Sequence, residues 1–217
     1  MFITFEGGEG SGKSTQAHLL AARLQGLGIP VVHTREPGGT SIAESVRRVL
    51  LHPQSRIAPM TELLLYEAAR AQHLAEVVVP ALLAGRVVIC ERYTDATEAY
   101  QGYGRGLPRR EIQILNKIAT GGLTPSLTFL LDVPVRRGLS AARGLAKRLS
   151  RRTAKTSGGD RMEREPALFH QRVRRGYLAL ARREPRRFRV IPWGGSVAEV
   201  SGRIWAHVDR RLPRRRP

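Results

Sequence analysis

The sequence predicts an α/β fold, a five-stranded parallel sheet flanked by helices, on three observations. Five short apolar runs recur along the 217 residues, at Phe2–Phe5, Val31–Thr34, Val87–Cys90, Leu127–Leu131 and Phe188–Ile191. Each is separated from the next by a longer stretch with helical spacing or a helix-start signal, the rhythm of successive βαβ units. A glycine-rich turn directly follows the first run and opens the first helical stretch.

Taken in order, the run at Phe2–Phe5 supplies the first strand. Ala17, Leu20, Leu24 and Leu27 then fall three or four apart, with Gly26 and Gly28 to end an amphipathic helix. After the second strand, Thr40 can cap a helix carrying Ile42, Val46, Val49 and Leu50. A third helix begins near Pro59 and must bend or break near Pro80, because proline has no N–H to donate. No internal repeat interrupts this order. One compositional break lies between Arg143 and Arg161, where seven cations face the single acid Asp160 and Thr-Ser-Gly-Gly interrupts any helix. This segment, about 143–161, reads as a mobile basic loop within one domain spanning 1–217.

Composition sets the class of protein. With 41% hydrophobic and 25% charged residues the chain can bury a core and is not a disordered polymer. The formal net charge of +19, part of it from a basic tail over about 210–217, draws in polyanions such as nucleotides. Nucleic acid is not the partner expected on this ground alone. The sole cysteine, Cys90, excludes an internal disulfide and a Cys-rich metal site. No signal peptide is evident, and the apolar stretch Val77–Ala84 is far short of the roughly 20 residues that span a bilayer. The expected home is the cytoplasm.

Gly7-Gly8-Glu9-Gly10-Ser11-Gly12-Lys13-Ser14, followed by Thr15, fits the pattern G-x-x-x-x-G-K-S/T. It stands where the mechanism requires, between a strand and a helix. Glycines let the backbone curl so that successive N–H groups point at phosphate oxygens, and the helix N-terminus adds its positive dipole end. Lys13 is expected to reach the β and γ phosphates of ATP, and the Ser14 hydroxyl to ligate Mg²⁺. The fold expected is therefore that of a P-loop NTPase. Motors, switches and kinases share this cradle, so the loop by itself does not choose among them.

The stretch Thr34-Arg35-Glu36-Pro37-Gly38-Gly39-Thr40 closely resembles the thymidylate kinase family. Tyr66 to His73, Glu91 to Gly102, Leu131-Asp132-Val133-Pro134 and Asp160-Arg161 agree with it in order, so the likeness runs from residue 1 to about 205. It implies phosphoryl transfer from ATP to dTMP, a bacterial-type enzyme with lid arginines, and a homodimer. By resemblance, Arg35 and Arg92 hold the acceptor phosphate, a task that suits planar guanidinium forks. Tyr66 stacks on thymine in place of the usual Phe, and Arg70, four residues on and so on the same helix face, bonds O4. Thr97 lies near the thymine N3 edge, Tyr100 crowds a ribose 2′-hydroxyl, and Gln101 joins the acceptor site. Glu9 matches an acid near the metal and the sugar 3′-hydroxyl. Glu91 replaces a usual Asp ahead of Arg92, at a strand end where a carboxylate can hold Mg²⁺ directly or through water; Asp132 is expected to be structural.

The nucleophile would be an oxygen of dTMP's own phosphate, largely dianionic at neutral pH, so no general base is nominated. Catalysis would rest on positioning and charge neutralisation by Lys13, Arg92, Glu9, Arg35 and Mg²⁺. Some relatives carry an arginine in the loop where this chain has Gly10. The lid candidates to replace it are Arg143, Arg148, Arg152 and Arg161, of which Arg143 is assigned to the ATP site. Three alternatives remain: a kinase for UMP, CMP or dUMP, a nucleic-acid-stimulated ATPase, and a GTPase-like switch. The last lacks its base-reading motif, because Asn116-Lys117-Ile118-Ala119 has no Asp.

Overall fold

The computed structural model describes residues 1–153 and 160–212. Five strands, β1 (Phe2–Glu6), β2 (Val31–Arg35), β3 (Val87–Glu91), β4 (Leu127–Asp132) and β5 (Phe188–Pro192), form one sheet in the order β2-β3-β1-β4-β5. All neighbours are parallel, with Ile3 opposite both Ile89 and Leu127. Each strand predicted from an apolar run is present and extends one residue further at its C-terminal end. β1 is buried along its whole length, as a central parallel strand covered on both faces must be.

The helices are α1 (Lys13–Gly26), α2 (Ser41–Leu51), α3 (Pro59–His73), α4 (Val79–Leu83), α5 (Thr94–Thr97), α6 (Arg109–Thr120), α7 (Val135–Thr153), α8 (Ala167–Arg183) and α9 (Val197–Asp209). Thr40 caps α2 as expected, its hydroxyl accepting from Ala43 N. Between α3 and α4 the chain takes a π-helical turn over Leu74–Val78, with Pro80 in the first turn of α4, where its missing N–H costs nothing. A second π-helical turn, Glu98–Gly104, follows α5. One core lies between the sheet and α1 and α9, around Phe5, Leu24, Phe129 and Ile204. The opposite face is sealed by α8 and the second π turn, through Tyr100, Phe169 and Tyr177.

One expectation is corrected. The basic stretch from residue 143 is not a loop up to Thr153, because α7 continues through it. Ala, Leu, Arg and Lys, which make up most of this stretch, are strong helix formers. Lys147, Arg148, Arg151 and Arg152 lie where side chains are not described, and Lys155, Thr156-Ser157-Gly158-Gly159 and the tail from residue 213 lie outside the described residues.

Candidate nucleotide site

The carboxyl ends of β1, β3, β2 and β4 deliver Glu6, Glu91, Arg35 and Asp132 to one edge of the sheet, the place where open α/β sheets bind ligands. The glycine-rich turn leaves β1 there. Gly7, Gly10 and Gly12 have φ of 142°, 61° and 88°, values that side chains rarely adopt. Gly10 is further constrained by contact, since a Cβ on it would lie 2.0 Å from Gly138 O at the start of α7. Lys13 Nζ donates back to Gly7 O and Gly8 O at 3.1 and 2.8 Å, curled over the loop. Burial, and then Arg92, push its pKa down to about 8.

Ser14 and Glu91 meet beside the loop. The Ser14 hydroxyl donates to Glu91 Oε2 at 2.5 Å, so the extra methylene of Glu91 does not keep the two apart. His33 approaches the other oxygen at 3.1 Å. Burial opposes the Glu91 charge, but His33, Ser14 and Lys13 together hold the carboxyl below its usual range. An ionised carboxylate beside a hydroxyl at the first helical turn is an oxygen donor set that suits Mg²⁺.

Next to the loop lies a cavity of about 90 Å³. Tyr66, Arg70, Thr97, Tyr100 and Gln101, all expected in the acceptor site, line it together with Glu9 and Arg92. A larger cleft over Gly10, Gly12, Lys13, Ser14 and Thr15 shares Glu9, Arg47 and Arg92 with that cavity as a common wall. Arg92 is the hinge of the arrangement. It donates to Glu9 Oε1 at 2.8 Å, to Gly7 O and to Tyr177 Oη, and its guanidinium lies 4.8 Å from the Tyr100 ring centre. Its φ of 67° is the only positive value for a non-glycine among the described residues, strain of the kind that persists at functional positions. Glu9 also accepts from Tyr100 Oη at 2.7 Å. Burial opposes its charge, but Arg92, Lys13 and Tyr100 bring its pKa down to about 2.

Arg70 is almost fully buried, and its five N–H groups are all engaged. Nε goes to Glu36, Nη1 to Glu67 and Asn116, and Nη2 to Tyr93 O and Thr97 Oγ1. A base in the cavity would therefore share or replace one of these partners. Arg35 is placed differently from the expectation. It is exposed, pairs with Glu44 at 2.9 Å, and lines the larger cleft but not the acceptor cavity. Arg143 is exposed on α7 and does not line the cavity or the cleft. Arg161 is turned away from the cleft, its Nη1 on Glu62 at 2.6 Å and its Nε on Leu50 O at 2.7 Å. Asp132 accepts both arms of the Arg174 fork at 2.6 and 2.9 Å.

Two features escaped the sequence reading. Arg47 lines both cavity and cleft and donates to Pro37 O at 2.7 Å. Its signal was available, since it falls between Ala43 and Leu50, the buried stripe of α2. A second groove joins the loop residues Ser11, Gly12 and Thr15 to Trp193, Gly194 and Gly195 after β5, with the Arg137 guanidinium 5.4 Å from the Trp193 ring centre. Glu36, His73 and Cys90 also cluster, with possible ligand atoms within 4.8 Å of one another. Glu36 is already held by Arg70 and His73, and His73 by Thr34, so the cluster is a satisfied polar core.

A phosphate cradle at the end of a central parallel strand, with a second cavity walled off by arginines, defines the chain as a P-loop nucleotide-binding protein of the kinase kind. It belongs to the thymidylate kinase family, whose model matches residues 5–204. It is 51% identical over 212 residues to the thymidylate kinase of Synechococcus sp. (strain JA-3-3Ab), covering 98% of this chain and 97% of that one. It is 52% identical over 214 residues to that of Syntrophotalea carbinolica, covering 97% and 96%. The crystal structure of thymidylate kinase from Ehrlichia chaffeensis, at 34% identity, superposes with a TM-score of 0.75 over 96% of this chain and 98% of the other.

Proposed function

We propose that this chain transfers the γ-phosphoryl group of ATP to dTMP, giving dTDP and ADP. The observation that carries the reading is the shared wall of Glu9, Arg47 and Arg92 between the P-loop cleft and the acceptor cavity. Two anions held on either side of that wall face each other for in-line attack. A dTMP phosphate oxygen forms the new bond to the γ phosphorus, and the bond to the β,γ-bridging oxygen breaks, its electron pair leaving with ADP. The attacking oxygen carries no proton to remove, so the protein supplies position and charge.

Loop N–H groups from Gly7 to Thr15 cradle the donor phosphates, and Lys13 leaves its carbonyl partners for the β and γ oxygens. The groove by Trp193 and Arg137 takes the donor base, because it continues from Ser11, Gly12 and Thr15. Mg²⁺ would be held by Ser14, with Glu91 directly or through water, and would neutralise charge on the donor phosphates. Arg92 and Arg47 grip the acceptor phosphate. Arg35 joins them by leaving Glu44, an exposed pair worth only about 0–1 kcal/mol. Tyr66 covers the base while Arg70, Thr97 and Gln101 read its edge, and Tyr100, pinned by Glu9, closes the sugar side. The segment about 143–161, part of which lies outside the described residues, would act as the lid of the single domain, 1–217.

Among the described residues no helix is long and apolar enough to cross a membrane. The single thiol, Cys90, is free and buried, which fits the reducing cytoplasm where we place the enzyme. A panel of nucleoside monophosphates with Mg-ATP tests the reading. Turnover is expected to be highest with dTMP and weaker with dUMP, which differs by one methyl group. Equal rates with UMP or CMP, or ATP hydrolysis that DNA stimulates and dTMP does not, would refute it.

A further inference from the structure

Glu62 lies in the first turn of α3 with no solvent exposure, and the transfer chemistry does not use it. Its Oε1 accepts from Gln101 Nε2 at 2.7 Å and Arg105 Nε at 3.1 Å, and its Oε2 from Arg105 Nη2 at 3.0 Å and Arg161 Nη1 at 2.6 Å. Burial opposes the charge of this carboxyl, yet Arg105, Gln101 and Arg161 hold it below its usual range. Glu62 is thus ionised and can only accept. A primary amide has two N–H donors at one end and an acceptor at the other, and the donating end of Gln101 is turned to Glu62, which takes one of its N–H groups. Gln101 lines the acceptor cavity, so with the amide held in that sense Oε1 is the acceptor it can offer a ligand.

We infer that Glu62 is a positioning residue for base selection, holding the Gln101 amide in the one sense that presents a hydrogen-bond acceptor to the base. The inference rests on reading the cavity as the dTMP site. Thymine and uracil carry a proton at N3 and satisfy such an acceptor. Cytosine has a lone pair there, and would set acceptor against acceptor in a buried site. Arg70 reaches a base only by sharing or exchanging one of the partners its N–H groups already have, so an acceptor fixed on Gln101 adds to the distinction it can make. An amide free to rotate would serve cytosine by offering Nε2. The carboxylate prevents that rotation, because a flipped Gln101 would press its oxygen against Glu62.

The test is steady-state kinetics of the full chain with dTMP and dCMP as acceptors at saturating Mg-ATP. It compares wild type, Glu62→Gln, Gln101→Met and the double variant. Glu62→Gln keeps the shape but lets the amide turn. The ratio of kcat/KM for dCMP to that for dTMP is expected to rise at least about tenfold, mainly through KM for dTMP, with KM for ATP unchanged. Gln101→Met should discriminate as poorly, and adding Glu62→Gln to it should cost nothing further. A purely structural Glu62 would instead lower both acceptors in proportion and add its loss to that of Gln101→Met, which overturns the inference. Should Glu62→Gln fail to fold, Gln101→Met leaves Glu62 with both arginines and makes the same prediction; an unchanged ratio in it is equally fatal. A wild type inactive on dTMP overturns the functional reading and this inference together. A wild type active on dTMP, with an unchanged ratio in the variants, overturns the inference alone.

Discussion

At the scale of single residues, the site stands on charges that would be costly without one another. Glu9 shows how. Its pKa of about 2 lies below the ordinary 4.5, so its charge stabilises the fold above pH 4.5, and that contribution disappears as pH falls through 2. Glu9→Gln should therefore be less stable than wild type at pH 7, by up to roughly 3 kcal/mol. Thermal melts of the two proteins should converge as the pH approaches 2; a gap that is constant with pH would show that Glu9 is not ionised by its neighbours. Arg92 and Arg47 act on the ligand side. Arg92→Ala and Lys13→Ala should lower kcat/KM for dTMP by about 10³, the scale of losing a charge-stabilising donor in a closed site. Arg47→Ala should raise KM for dTMP about 10–100-fold with little effect on KM for ATP. Wild-type kinetics in any of the three would remove that residue from the machinery that holds the two nucleotides.

At the scale of elements, the contact between the phosphate loop and α7 depends on two glycines facing each other. A Cβ on Gly138 would fall 2.3 Å from Glu9 O, a backbone atom that cannot step aside without moving the loop. Gly138→Ala should thus raise KM for ATP and lower the melting temperature, both measurable in one preparation; unchanged KM would mean that α7 yields instead. The same element marks the limit of what the sequence makes legible. The five strands could be read because buried parallel strands are short unbroken apolar runs, and the phosphate loop because its motif is local. α7 was misread since Thr-Ser-Gly-Gly at 156–159 coloured the whole stretch from 143, whereas the residues up to 153 are helix formers. Arg47 and Glu62 were missed because both are charged groups on buried helical stripes. Their value comes from partners distant in sequence: Gln101, Arg105 and Arg161 reach Glu62 from two other segments. Arg35 was recognised by its motif, but its pairing with Glu44 is a three-dimensional fact that no spacing announces.

At the scale of the whole molecule, the question is what covers the outer faces of the helices that build the acceptor cavity. α3 turns Tyr66 and Arg70 toward the cavity and Glu62 toward Gln101 beside it, yet Leu64 on its other face is 49% exposed. Met60 lies one turn before Leu64. On α6, Ile114 and Ile118 repeat the four-residue spacing at 50% and 73% exposure, and α2 adds Ile42 and Val49. α2 packs on α3 and α3 on α6, so these aliphatic pairs belong to adjacent helices. A chain with a net charge of +19 has polar side chains in plenty for a solvated face, and leaving several branched aliphatics on adjacent helices fits burial against a second copy. The expected assembly is a homodimer through α2, α3 and α6, with light scattering giving twice the 24.1 kDa of one chain. Leu64→Glu combined with Ile118→Glu places like charges on both sides of such a two-fold contact and should yield monomers. Because α3 carries the cavity lining on its inner face, the separated chains should also show a higher KM for dTMP, while KM for ATP, set at the far side of the wall, stays as it was. A wild type that scatters as a single chain at micromolar concentration would leave the exposed aliphatic residues without this explanation.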